Sequence, residues 1–550
     1  MTAALMLTAA IAVAGPSAAA GEQDRWVFLF GYSLLNAEHV QAMEGIVERA
    51  GSSGYTGAVL GGVDRMSQQS SKYFEHLDRI AEACRVSGLE LIPTLFSVGY
   101  GGSVLSHDLN LAEGLPVIDA PFRVAGRHAR LASEEPVTIG NGDFETFDGD
   151  TFPGFAFHDE PGVVSFADAD VAHGGRSCLR MEASATNEHG HARVMQVVDV
   201  KPRRCYRIRV WVRTEGLAPT SALRMMVLDE GRNLAPREFD VAATSEWREL
   251  TMLFNSQTST SVRVYVGLWN GERGRLWLDD WSIEEVGLLN VLRREGTPVT
   301  VTNADGGVTY EEGRDYGRIE DPELSPWRAV RDSPPLRIPD GSRISDGDDL
   351  LVSWYHPMVV NRSQVTICMG EERIYEIMDR EAKLLAEHLP SRTFLLATDE
   401  VRAGGSCEAC RGRDMGELLG ECITRQTEII RRYNPGARIA IWSDMLDPHH
   451  NAHGDYYLVE GDFTDSWEHV PSDLLIAVWG GAPREDSLRF FADRGSPTLI
   501  ACYYDADGLT QVQRWLDLAR ATPHVSGFMY TTWQRKYALL EEFSALVGSD

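Results

Sequence analysis

The sequence predicts an α/β protein: a (β/α)8 TIM-type barrel interrupted by an inserted all-β jelly-roll sandwich. Three observations predict it. Short apolar runs alternate with helical stretches toward both ends of the 550-residue chain, a pattern that calls for a parallel sheet. The middle of the chain switches to closely spaced strands with polar–apolar alternation. Finally, "FLLATDEV", residues 394–401, runs from apolar residues straight into Asp399 and Glu400. Buried barrel strands end in this way where their catalytic groups sit.

Taken in order, residues 1–20 are apolar and then small, with Ala18–Ala20 before a polar turn. This is the pattern of a signal peptide, and it predicts a secreted or periplasmic protein. No later stretch has about 18 uninterrupted apolar residues, so no membrane insertion is expected. Residues 21–138 read as the first part of the catalytic barrel. "RWVFLFGYS", "YTGAVLGG" and "LELIPTLFS" are strands, and "AEHVQAMEGIVERA" and "YFEHLDRIAEACRVSG" are helices, the second closed by a glycine cap.

Residues 139–287 are the sandwich, its alternation plainest in "YRIRVWV" and "VRVYVGLW". Residues 288–345 are rich in Gly, Pro and Asp and read as a connecting β-rich segment. Residues 346–550 resume the alternation as the second part of the barrel. Nine strand candidates then compete for eight places, and "LLVSWYHP" is the one expected to be irregular or outside the ring.

The formal net charge is −29, which sets phosphate backbones and anionic lipid aside as partners. Eight cysteines are too few to define the fold by disulfides. "CEAC" (Cys407, Cys410) with Cys422 offers three thiols without a second pair. Buried thiols or a local disulfide is the first reading of them and a zinc site the rarer one.

The later strands end in Asp399-Glu400, Trp442 with Asp444, Trp479, Tyr503 and Tyr504 with Asp505, and Trp533-Gln534. Indole faces stack on the C–H faces of sugar rings, and carboxylates and amides bind hydroxyls. His356, ending "SWYH", could reach substrate or be a structural histidine. This set resembles the retaining β-N-acetylhexosaminidases of glycoside hydrolase family twenty and relatives that cleave β-N-acetylgalactosaminides. The chain departs from that pattern in Leu396-Ala397-Thr398 before the acidic pair, in a first-strand end, "FLFGYS", without arginine, and in Gln534 at the last position.

The resemblance implies substrate-assisted hydrolysis, in which the acetamide oxygen of the sugar is the nucleophile and an oxazolinium forms with retention. Asp399 would hold the acetamide N–H as an anion, Glu400 would be the acid and then the base, and Tyr504 (or Tyr503) would donate to the acetamide oxygen. Trp442, Asp444, Trp479, Tyr503, Asp505, Trp533, Gln534 and His356 would bind the sugar. No cofactor is called for by this chemistry, and the partner is a glycan or glycoconjugate. The missing arginine at the end of the first strand and the available indoles lean toward N-acetylgalactosamine over N-acetylglucosamine. The rival readings are a conventional two-carboxylate β-glycosidase and a secreted glycan-binding protein without activity.

The insert resembles jelly-roll carbohydrate-binding modules over Asn141–Glu145, Gly175–Met181 and Trp277–Glu284. The resemblance makes Glu145 and Asp280 the candidates for a structural calcium.

Overall fold

A computed structural model describes residues 23–63, 65–133, 135–183 and 190–549. The expected signal peptide, residues 1–20, lies outside them. The ring strands are β1 (Asp24–Leu29), β2 (Gly57–Leu60), β3 (Glu90–Leu95), β4 (Thr393–Leu396), β5 (Arg438–Trp442), β6 (Leu475–Trp479), β7 (Thr498–Tyr503) and β8 (Val525–Thr531). They hydrogen-bond in that order into a closed barrel. The pairings β1–β2, β1–β8, β3–β4, β4–β5, β6–β7 and β7–β8 are parallel. β2, β4 and β7 are buried at every position, as strands covered on both faces must be.

The longer helices are α1 (Ala37–Ser52), α2 (Ser71–Val86), α3 (Glu372–His388), α4 (Met415–Tyr433), α5 (Glu485–Asp493), α6 (Thr510–Ala521) and α7 (Leu540–Val547). Side-chain caps begin two of them: Asn36 accepts from the Glu38 and His39 amides, and Asp414 from the Glu417 amide. The expected alternation breaks between β5 and β6. Among the described residues that connection holds only the short turns Asp444–Leu446 and Ser466–Glu468 and the two-residue strand Leu458–Val459. Its sequence, "SDMLDPHHNAHGDYY", has no helical period and carries a proline and a glycine.

By internal contacts the chain forms two compact units, one of Met1–Leu60, His76–Ile92 and Leu475–Asp550, the other of Gly61–Glu75 and Pro93–Leu474. The first contains β1, β2, β6, β7 and β8 with α1, α5, α6 and α7.

The second unit carries the sandwich, two antiparallel five-stranded sheets. One runs Ser245–Asn255, Cys205–Ala218, Arg273–Glu285, Cys178–Glu182, Ser165–Asp168; the other runs Arg232–Glu238, Leu223–Asp229, Ser261–Leu268, Ala192–Asp199, Phe157–His158. Alternate residues Tyr206, Ile208, Val210 and Val212 share one core with Val262, Val264, Val266 and Leu268. That is the period of two visible in the sequence.

A third sheet, in the order Thr300–Asn303, Asp349–His356, Leu115–Ala125, His128–Leu131, Leu336–Arg337, has its own core around Phe122, Leu350, Val352 and Trp354. Asp349–His356 is the ninth strand candidate, and it lies outside the ring. Its first six positions alternate between buried and more open, as suits one face on a core. Leu115–Leu131, expected with the first barrel segment, belongs to this sheet as well. Gly126, at a φ of +60°, turns its hairpin.

Candidate functional site

In the second unit the chain leaves β4 through Ala397 and Thr398 to Asp399 and Glu400. The Thr398 hydroxyl donates to Gln426 Oε1 on α4 at 2.9 Å, and Gln426 Nε2 donates to the Phe96 carbonyl at 3.2 Å. The segment is thereby fixed from two sides. Glu400 then takes a left-handed φ of +49°, a strained conformation for a residue with a side chain. Its amide donates to Asp444 Oδ2 at 2.8 Å, and its carbonyl accepts from Gln364 Nε2 at 2.9 Å. Gly99 explains why the turn fits. A Cβ there would stand 2.2 Å from the Asp399 carbonyl oxygen and 2.6 Å from that of Glu400. Only glycine admits the acidic turn this close.

The Glu400 carboxylate is held by two donors, Tyr100 Oη at 2.8 Å on Oε2 and Arg402 Nη2 at 2.6 Å on Oε1. The Tyr100 residue is 43% exposed, but desolvation around its hydroxyl, together with the charges of Glu400 and Asp399, pushes that hydroxyl up, so it keeps its proton and donates. Arg402 also donates to Gln364 Oε1, and its guanidinium lies 4.9 Å over the Tyr457 ring. Asp444 is fully buried and accepts from Asn451 Nδ2 at 2.8 Å.

Burial, then the charges of Asp444 and Glu400, push the Asp399 carboxyl well above the usual carboxylate range. This corrects the expectation of an anionic Asp399: the fold favours its neutral form. Asp399 thus shares a half-buried place with two further carboxyl groups, Asp444 and Glu400, of which Glu400 is paired with Arg402.

In the first unit an aromatic group stands on the ends of β6, β7 and β8. The Trp479 and Tyr504 rings stack at 6.3 Å with 5° between planes, and Tyr504 meets Trp533 edge-on at 5.9 Å. Trp533 packs in turn on Phe28 and Phe30, at 5.5 and 4.7 Å. Asp505 fixes Trp533 by accepting its amide at 2.8 Å, along with the Gln534 amide at 3.3 Å and the Thr532 hydroxyl. Tyr503, Tyr504 and Asp505 all have positive φ, so three consecutive residues are strained where the strand ends. Tyr503 is buried, stacked on Tyr530 at 4.4 Å; Tyr504 is the tyrosine of the aromatic group. Gln534 is exposed.

Several residues expected to touch sugar are placed otherwise. Trp442 is buried, Asp444 positions the Glu400 amide, and Asp505 positions Trp533. His356 is buried in the second unit, its ring nitrogens 3.1 Å from Asn255 Nδ2 and 3.2 Å from the Pro357 carbonyl oxygen. Burial lowers its pKa to about 4, so it is a neutral structural histidine.

Glu145 accepts the Arg176 and Ser177 amides at 2.6 and 3.0 Å, and Asp280 Oδ2 meets His173 Nδ1 at 2.6 Å. Those contacts anchor the 173–177 loop and do not by themselves make a calcium site. The residues missed in the sequence are Tyr100, Gln364, Arg402 and Asn451. Arg402, two residues past Glu400, carried a signal; the others reach the site through the fold alone. The CEAC thiols come together with Cys368 and Glu113, while Cys422 belongs elsewhere.

No protein-family model matches the chain, and no curated protein matches it. Among solved structures it is similar to TmCBM61 in complex with β-1,4-galactotriose, at 18% identity and a TM-score of 0.21, over 27% of this chain and 97% of that one. A CBM4 structure is 17% identical with a TM-score of 0.21, over 27% and 99%. The CBM22-1 xylan-binding domain of Paenibacillus barcinonensis Xyn10C is 17% identical with a TM-score of 0.19, over 28% and 97%. The matched quarter of this chain is similar to carbohydrate-binding modules.

Proposed function

We propose that the protein is an exo-acting retaining glycoside hydrolase that releases β-linked N-acetylhexosamine by substrate-assisted catalysis. In this reading the ring is a TIM-type barrel lacking one helix, and the sandwich is a glycan-binding accessory. The observation that carries it is the crowding of Glu400 and Asp444 on Asp399, with Arg402 paired to Glu400, which leaves Asp399 short of compensating charge. A glycosyl cation developing beside this group gains electrostatically, and that gain is made only in the transition state.

Glu400, in its protonated form, gives its proton to the glycosidic oxygen as the C1–O bond breaks, while the acetamide oxygen bonds to C1. The resulting oxazolinium carries its charge toward Asp399, whose carboxyl hydrogen-bonds the acetamide N–H. Glu400 then takes a proton from the water that attacks C1, and the ring opens with retention. The Trp479–Tyr504–Trp533 group is the kind of surface on which the apolar face of a sugar stacks. The continuous C3–C4–C5 face left by an axial O4, and the lack of an arginine at the first-strand end to hold an equatorial O4, favour N-acetylgalactosamine by at least about tenfold in kcat/KM, the value of one hydrogen-bond partner. Rates on the two p-nitrophenyl β-glycosides measure this preference.

A second reading rests on the two donors holding Glu400, the pattern of a carboxylate nucleophile, with a proton held nearby on Asp399. This would be a conventional two-carboxylate β-glycosidase. A thiazoline mimic of the oxazolinium separates the two. Strong inhibition supports substrate assistance; no inhibition at millimolar thiazoline, alongside turnover of plain β-glucosides or β-galactosides, transfers the assignment to the second reading. Absence of turnover on all four sugars leaves the chain a glycan-binding protein and overturns both.

A further inference from the structure

Away from the carboxylate group, the second unit brings together four side chains from three distant stretches of sequence. Glu113 stands just ahead of the Leu115–Ala125 strand, Cys368 just ahead of α3, and Cys407 and Cys410 in the segment between β4 and α4. All four are buried, none more than 3% exposed. One oxygen or sulfur from each lies within 4.8 Å of the other three. We propose that these residues form a closed, structural zinc site with three thiolates and one carboxylate.

The spacing fits a tetrahedron and does not fit a disulfide. Bond lengths of about 2.3 Å to sulfur and about 2.0–2.2 Å to a carboxylate oxygen imply edges of about 3.8 Å between sulfurs and about 3.5 Å between sulfur and oxygen. Cys368 Sγ stands 3.4 Å from Cys407 Sγ and 3.2 Å from Cys410 Sγ. Glu113 Oε2 stands 3.9 Å from Cys407 Sγ and 3.8 Å from Cys410 Sγ. The sulfurs are too far apart to be bonded, since a disulfide needs about 2.05 Å, and all three cysteines are free. They are also closer than unbonded buried thiols need to approach.

The surroundings already orient the set. Glu113 Oε1 accepts from the Ser406 amide at 3.2 Å, the Ser406 hydroxyl at 3.3 Å and the Cys407 amide at 3.3 Å, which turns Oε2 toward the thiols. Fixing a ligand through its other atom is how a protein prepares a metal position. Three thiolates and a carboxylate around a dication carry a net negative charge. The buried Arg294 guanidinium, itself paired with Glu371, also acts on Cys368, Cys407 and Glu113 and puts positive charge beside the set. Thiolate-rich tetrahedral sets select zinc among common divalent ions, and four protein ligands leave no open position for catalysis. The site would tie the segment that follows Asp399, Glu400 and Arg402 to two other parts of the unit.

The test uses the full chain, with zinc itself as the probe. Protein purified in metal-free buffer should carry one zinc per chain by elemental analysis, and X-ray absorption should show three sulfur neighbours and one oxygen. Cys368→Ser should lower the zinc content at least tenfold, whereas Cys422→Ser should leave it at one. Should the Cys368 variant fail to fold, removing metal from the wild type with a chelator and restoring it must lower and then recover its thermal midpoint. The proposal is overturned if the wild type neither carries nor takes up stoichiometric zinc. It is equally overturned by a disulfide at Cys368 in the unreduced chain, or by zinc surrounded only by nitrogen and oxygen.

Discussion

Replacing Glu400 by Gln should remove turnover without removing the fold. The two donors on this carboxylate come from Tyr100 and Arg402, and the Glu400 and Arg402 side chains are only 17% and 7% exposed. Deleting a buried partner outright costs about 3–5 kcal/mol because a charge is stranded. Gln keeps the length and one accepting oxygen, and the Tyr100 hydroxyl can turn to accept from the new amide. Arg402 keeps its bond to Gln364 and its place over the Tyr457 ring. The stability cost should therefore be about 1–2 kcal/mol, close to that of one rearranged hydrogen bond. The catalytic cost is larger. A general acid contributes about 10²–10⁴-fold, or about 3–5 kcal/mol of barrier. The assay compares kcat/KM on a β-linked disaccharide with that on a dinitrophenyl glycoside, whose departure needs little protonation. The disaccharide rate should fall by that factor and oxazolinium formation from the aryl substrate far less. Near-wild-type disaccharide rates in a folded Glu400→Gln protein would refute the acid assignment.

Asp399→Asn should separate stability from activity. With its pKa raised in the fold, Asp399 makes folding less favourable as pH rises above the ordinary carboxylate value, because the unfolded chain releases its proton first. The Asn variant should be more stable at neutral pH by denaturant titration and lose that part of the pH slope, while turnover falls at least about 100-fold. His356 has the opposite sign. Its folded pKa of about 4 lies below the usual 6.5, so protons bind the unfolded chain first and stability drains away as pH falls from 6.5 toward 4. The loss should approach about 3 kcal/mol, and His356→Gln should flatten it in urea melts across that range. Gly99→Ala should push the acidic turn off its position at a cost of about 1–3 kcal/mol and lower kcat about 100-fold. Gly102→Ala, where a Cβ meets nothing within 4 Å, should do neither.

What could be read from the sequence, and what could not, follows from how far each interaction reaches along the chain. The strand at Thr393–Leu396 and its acidic end were legible because burial on both faces leaves an unbroken apolar run, and the charges after it mark where burial stops. The sandwich was legible for the converse reason, that one-sided burial writes a period of two. Periodicity says nothing about partners, however. Gln364 reaches the Glu400 carbonyl across 36 positions and Tyr100 reaches its carboxylate across 300, and no local pattern marks either.

The same limit explains the thiols. Cys422 is near CEAC in sequence but lies on α4, whose hydrogen-bonded turns carry it away, while Cys368 and Glu113 arrive from other segments. Tyr503 and Tyr504 were indistinguishable for a different reason. Which of two neighbours faces inward is decided by strand alternation only while the chain remains a strand. Here φ turns positive at Tyr503 and stays so through Asp505, so the alternation stops just where the choice is made. The charge state of the acidic pair was beyond the sequence too. The resemblance implied an anionic Asp399, but burial, with the charge of Asp444 that follows β5, pushes Asp399 toward its neutral form. Strain at Glu400, held in place by Gly99 and Asp444, thus marks a position where the fold departs from local preference, and it is the position to which the proposed acid and base are assigned.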